Sequence, residues 1–134
     1  MEKHREWVWS WFDGLRLSLL YTKPEGEIKG VLQISHGMCE NKERYLPFME
    51  YLGEHGYAAV IHDHRGHGKS VKRKEDLGYF YGGRDKGIVE DLHQVTCWIK
   101  EHFPGVPVYM LGHSMGSLAA RGYLKDYDRE LKKL

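Results

Sequence analysis

Ser114 stands at the centre of Gly112-His113-Ser114-Met115-Gly116, a hydroxyl with a glycine two residues to either side. That spacing suits a tight turn that lifts the middle side chain clear while neighbouring backbone passes without a Cβ clash. A hydroxyl so presented can attack a carbonyl carbon, provided that a base takes its proton and N–H donors face the developing oxyanion. The bare pattern is weak in a chain with 16 glycines among 134 residues, where an incidental serine in a turn would also satisfy it. Context carries the argument. Val106-Pro107-Val108-Tyr109-Met110-Leu111 is a short β-branched and aromatic run before the turn, and Ser117-Leu118-Ala119-Ala120 after it is small and apolar. Strand, turn and helix in that order form the setting such a nucleophile needs.

Two more glycine-bearing polar turns follow apolar runs. His36-Gly37-Met38 ends the run Val31 to Ser35, and Asp63-His64-Arg65-Gly66-His67-Gly68-Lys69-Ser70 ends the run Tyr57 to Ile61. The backbone N–H of Met115, at the opening of a helix, is a free donor beside Ser114. A second donor is expected from the turn after the first parallel strand. It is assigned to the N–H of Met38, with Gly37 letting the chain bend close. The third turn admits three readings. A phosphate-cradling loop fits Gly68-Lys69-Ser70 but finds Asp63 where its first glycine belongs. A metal site could use His62, His64 and His67, yet no carboxylate or cysteine completes a recognisable spacing. The favoured reading is structural: Asp63 and Arg65 tie the turn by charge-assisted hydrogen bonds.

The elements that must position these turns can be read from periodicity. Trp7 to Phe12 alternates rings with other residues, Asp13-Gly14 is a turn signal, and Leu15, Leu17, Leu19 and Tyr21 share one strand face. This predicts an antiparallel hairpin, with Trp7, Trp9 and Trp11 on a half-buried face rather than anchored at a membrane. Tyr45, Phe48, Met49 and Leu52 form one stripe of a helix over Glu43 to Glu54, with Pro47 in its first turn and Gly56 after its end. Ile88, Leu92, Val95, Ile99 and Phe103 mark a second helix ended by Pro104-Gly105, and a third is expected from Met115 to Tyr127. A hairpin followed by alternating strands and helices predicts an α/β fold. Its sheet is mostly parallel with an N-terminal antiparallel hairpin, and helices lie on both faces. All three turns then fall at carboxyl ends of strands, on one rim, where ligands of such sheets bind.

Composition narrows the setting. The formal charge is +1, and Lys72-Arg73-Lys74 is answered at once by Glu75-Asp76, so no nucleic-acid footprint is present. Cys39 and Cys97 show no pairing signature, the N-terminus Met1 to Glu6 is charged without an apolar run behind it, and no stretch reaches the length of a membrane span. A cytoplasmic, soluble chain is the expectation.

Together, the three turns resemble the α/β-hydrolase fold, and within it the monoacylglycerol lipase and lysophospholipase branch (serine aminopeptidase S33-like). The likeness runs from about Gly30 to the end. It implies Ser114 as nucleophile, Met38 and Met115 as backbone oxyanion donors, carboxylic esters of lipids or small acyl compounds as substrates, and neither metal nor organic cofactor. One departure is large. The fold's triad runs Ser, then Asp or Glu, then His, but only Asp126, Asp128 and Glu130 follow Ser114 as acids and no histidine follows at all. His113 and His36 are occupied by their own turns, and His64 or His67 as a substitute base is a question for geometry. The chain is thus expected to be the N-terminal portion, 1–134, of a single domain whose later strands and lid are absent. Its elbow strand would keep a bare edge, to be covered by a C-terminal half or by self-association. The competing expectation is a non-catalytic assembly or binding module using that edge.

Overall fold

The computed structural model describes residues 2–36, 42–65, 70 and 84–112, with the side chains of 84–86 excepted. Five strands form one sheet in the order β1-β2-β4-β3-β5. They are β1 (Glu2–Trp9), β2 (Arg16–Lys23), β3 (Gly30–Ser35), β4 (Tyr57–His62) and β5 (Val108–Gly112), with helices α1 (Leu46–Glu54) and α2 (Arg84–His102) between them. The β1–β2 and β2–β4 pairings are antiparallel, and β3 pairs in parallel with both β4 and β5. The sheet is therefore mixed: a hairpin edge joined to a parallel half, as the alternation of periods predicts.

Each face has its own apolar cluster. Leu19, Val31, Val60 and Val108 pack with Val95 and Ile99 of α2 and with Phe103 just beyond its end. Leu20, Ile34, Ala59 and Ile61 pack with Met49 of α1 on the other side. Period 2 in the strands sends neighbours such as Leu19 and Leu20 to opposite faces, so helices on both sides are needed to cover them. Full burial of each large aliphatic side chain contributes roughly 1.5–3 kcal/mol.

Helix α1 enters through a 3-10 turn, Lys42–Tyr45, and Pro47 sits in its first turn where a missing N–H costs nothing. Gly56 follows its end at φ +89°, the left-handed conformation that closes a helix without a Cβ penalty. Helix α2 starts four residues before the apolar stripe at Ile88 and stops at His102, just ahead of Pro104-Gly105.

The hairpin differs from expectation in two respects. Its connection spans Ser10 to Leu15 rather than two residues, because Gly14 N–H returns to the Ser10 carbonyl and Ser10 N–H to the Leu15 carbonyl. Trp9 and Trp11 are also not half-buried, at 59% and 67% exposure, and Trp11 stands in the turn against His93 rather than on the strand face of Trp7 and Trp9. The hydrophobic clusters of α1 and α2 draw on strands β2 to β5, and among the described residues neither cluster extends over the rings of the outlying β1. No helix among the described residues is long and apolar enough to cross a membrane.

Candidate active site

Ladder register brings the strand ends together before any side chain is considered. Ser35 lies opposite Gly112 across the β3–β5 pair, and Ile34 lies opposite Ile61 across β3–β4. The turns beginning after Ser35, His62 and Gly112 therefore leave the sheet side by side at one rim. Ser114, Met38 and Met115 lie outside the described residues, as do Gly37, Cys39, His67, Lys69, His113, Asp126 and the helix expected over 115–127.

Histidines occupy the described part of the rim. His36 Nε2 accepts the backbone N–H of His64 at 2.8 Å, which requires a neutral ring with its proton on Nδ1. His64 Nε2 pairs with the Ser35 hydroxyl at 3.0 Å, and the His36 and His64 rings are 4.4 Å apart. The turn after β3 is thus bolted to the turn after β4. His64 is fully buried, with its ring and backbone both engaged in this lattice, which disfavours it as a base working on substrate. His62 stands edge-on to it at 5.1 Å, and neither of its ring nitrogens has a hydrogen-bond partner among the described residues. Burial, reinforced by the charge of Arg65, pushes His62 down to about 3, so it is neutral and a poor proton acceptor. No group of three or more His, Cys, Asp or Glu side chains among the described residues is disposed to hold a metal.

Asp63 and Arg65 have the tying role expected, through partners that the sequence does not advertise. Asp63 accepts Lys42 N–H at 2.7 Å and Lys42 Nζ at 3.0 Å, both side chains being about 1% exposed. Asp63 N–H reaches the Ser18 carbonyl at 2.9 Å, and Ser70 Oγ accepts Ser18 N–H at 2.8 Å. Ser70, the last residue of the near-phosphate-loop pattern, thus closes the loop against β2. Arg65 is fully buried, its Nε donating to Asp91 Oδ2 at 2.8 Å and its Nη1 to Asp13 Oδ2 at 2.8 Å. Nη2 adds Asp13 Oδ1 at 3.0 Å and Ser10 Oγ at 3.2 Å. Burial pulls the guanidinium down, but hydrogen bonds and charge from Asp13 and Asp91 outweigh it and hold Arg65 above its ordinary value. Burial raises the Asp91 carboxyl, and Arg65 opposes that rise.

Lys42, Ser10 and Asp91 carry no local motif, and Asp13 enters the sequence reading only as part of a turn. Asp91 alone left a signal, since it falls three residues after Ile88 and one before Leu92, on the flank of the apolar stripe. A carboxylate there needs a partner once the stripe is buried. Gly87 completes the clamp: a Cβ at that position would lie 2.9 Å from Arg65 Nε, so only glycine lets the guanidinium lie against α2.

Comparison with known proteins agrees with this architecture. The serine aminopeptidase S33 family profile matches residues 26–134. A monoglyceride lipase homolog of monkeypox virus is 39% identical over 100 residues, 72% of this chain and 33% of its own length. The monoglyceride lipase of Homo sapiens is 34% identical over 108 residues, 81% of this chain and 34% of its own. The crystal structure of a highly thermostable carboxyl esterase from Bacillus coagulans, in complex with glycerol, superposes with a TM-score of 0.85 at 30% identity, over 98% of this chain and 42% of that one. The chain spans about a third of the length of the curated relatives it matches. By sequence and by fold, it belongs to the serine aminopeptidase S33 family of α/β-hydrolases.

Proposed function

We propose that the chain is the nucleophile-bearing part of a serine ester hydrolase acting on lipid or small acyl esters, of the monoacylglycerol lipase and lysophospholipase kind. The observation that carries this reading is the register of Ser35 opposite Gly112, which makes the strands feeding Met38 and Ser114 immediate neighbours. Two relatives that bear the name monoglyceride lipase or its homolog, and a fold neighbour named a carboxyl esterase, support ester rather than other chemistry.

In the proposed step Ser114 Oγ bonds to the acyl carbon and the carbonyl π pair moves to its oxygen. The N–H groups of Met38 and Met115 hold that oxyanion. A base takes the serine proton and returns it to the departing alcohol. Water then repeats the sequence on the acyl-serine and releases the acid. Neither metal nor organic cofactor enters. Residues 115–134 contain no histidine, so a base placed after the nucleophile, as in the family's order, is not among them.

A fluorophosphonate probe tests the assignment, applied to the chain alone and to the chain mixed with a polypeptide carrying the later strands of a family member. The expected result is an adduct on Ser114 with the complement present and none in Ser114→Ala. An adduct that persists in Ser114→Ala, or no adduct in any mixture, removes the hydrolase reading. A second reading, an assembly module without catalysis, is favoured by one feature. β5 ends the described sheet, and Leu111 is 39% exposed beside an apolar groove of about 490 Å3 lined by Leu32, Phe48, Leu52, Tyr109 and Met110. Self-association together with a silent probe would select it.

A further inference from the structure

Trp11 and Trp9 are the most exposed large apolar side chains among the described residues, at 67% and 59%, and Trp7 beside them is 39% exposed. Strand alternation puts Trp7 and Trp9 on the face of β1 shared by Lys3 and Arg5, which pair with Glu50 and Glu43 on the α1 side. Trp11 lies to the other side, edge-on to His93 of α2 with centroids 6.3 Å apart. The indoles therefore flank one hairpin end from both faces.

The backbone beneath them is held firmly. Trp11 N–H donates to Gln94 Oε1 and Gln94 Nε2 donates to the Trp9 carbonyl, both at 2.7 Å. Ser10 Oγ donates to Asp91 at 2.6 Å, and Arg65 clamps Asp13 through two nitrogens. Rings on a mount this rigid are presented, not left over from a loose loop. The mount also has a definite place. Leu19 pairs with His62 in antiparallel register, so the residues before Leu19 run past the carboxyl end of β4. The hairpin end stands on the same rim as the turns that carry the candidate chemistry.

We infer that this hairpin end is a lipid-docking element, with Trp9 and Trp11 entering the headgroup–acyl boundary of a lipid surface and setting the reactive rim against it. Indole suits that boundary, with an apolar body and one N–H donor. Charge points to anionic headgroups. Between Trp7 and Arg16 the only charged residues are Asp13 and Arg16. Asp13 is held by Arg65, a guanidinium it shares with the buried Asp91, whereas Arg16 lies over the Trp7 ring at 4.0 Å as the exposed cation among the indoles. The choice of lipid as occupant rests on the lipid-ester reading above; the presentation of the rings does not.

The test mixes the 134-residue chain with vesicles of phosphatidylcholine, with and without phosphatidylserine, and follows co-sedimentation and tryptophan emission. The inference predicts a blue shift and co-sedimentation. In Trp9→Ala/Trp11→Ala partitioning should fall about tenfold with an unchanged far-UV spectrum. Arg16→Gln should weaken binding only where phosphatidylserine is present. Ser114→Ala should bind as the parent does, so failure of the hydrolase reading cannot imitate failure here. No binding by the parent, or equal binding by the double variant, overturns the inference. It is also overturned if the double variant changes only self-association in lipid-free sedimentation, since the rings would then be a contact between copies.

Discussion

Arg65 joins side chains far apart in the chain, Asp91 at a separation of 26 residues and Asp13 at 52. Arg65→Leu would leave the Asp91 carboxylate buried without its cation, a loss of about 3–5 kcal/mol. Arg65→Lys should recover part of that, keeping the charge but not the fork that spans two carboxylates. Urea unfolding of both variants checks the order. His62 gives a separate handle through pH. Its folded value of about 3 lies below the ordinary 6.5, so between those limits the unfolded chain binds the extra proton. Its contribution to stability is complete above pH 6.5 and is lost as pH falls toward 3, by at most about 1.4 kcal/mol per pH unit. His62→Phe should flatten that acid limb in denaturant titrations. An unchanged slope would place the titration elsewhere. At this scale the sequence was only partly legible. The charged turn Asp63 to Arg65 invites ion pairs, but which residues answer depends on contacts across the fold that no local spacing encodes.

The elements were more legible than their contacts, because period 2 and period 3.6 are written in neighbouring residues. The hairpin, both helices and the parallel pairings follow from Leu15 to Tyr21, Tyr45 to Leu52 and Ile88 to Phe103. The exposed tryptophans did not follow, since alternation does not show whether anything covers a face and fails at Trp11, which stands in the turn beside His93. Helix α2 carries a sharper test. Gly87→Ala adds helix propensity worth about 1 kcal/mol. Its Cβ, however, would meet Arg65 Nε at 2.9 Å and Cζ at 3.0 Å, in a side chain already committed to Asp13, Asp91 and Ser10. Overpacking of this kind costs about 1–3 kcal/mol. Net destabilisation in thermal unfolding is expected, and a stabilised Gly87→Ala would mean that the clamp yields easily.

At the scale of the whole molecule the sheet is lopsided. Its hairpin side ends in β1 with charged residues along the strand, whereas β5 at the opposite end offers Leu111 and an apolar groove. Leu111→Lys should lower self-association of the isolated chain in sedimentation velocity, since a charge on an edge strand opposes pairing. It should leave the far-UV spectrum intact. The missing base was legible as an absence of histidine after His113. The central claim concerns one hydroxyl and two amides. Its most direct test is an experimental structure of the complemented chain carrying a phosphonate on Ser114. The account predicts the phosphonyl oxygen at about 2.7–3.1 Å from the N–H groups of both Met38 and Met115. A Ser114 hydroxyl packed inward, or those amides bonded within their own turns, would contradict it.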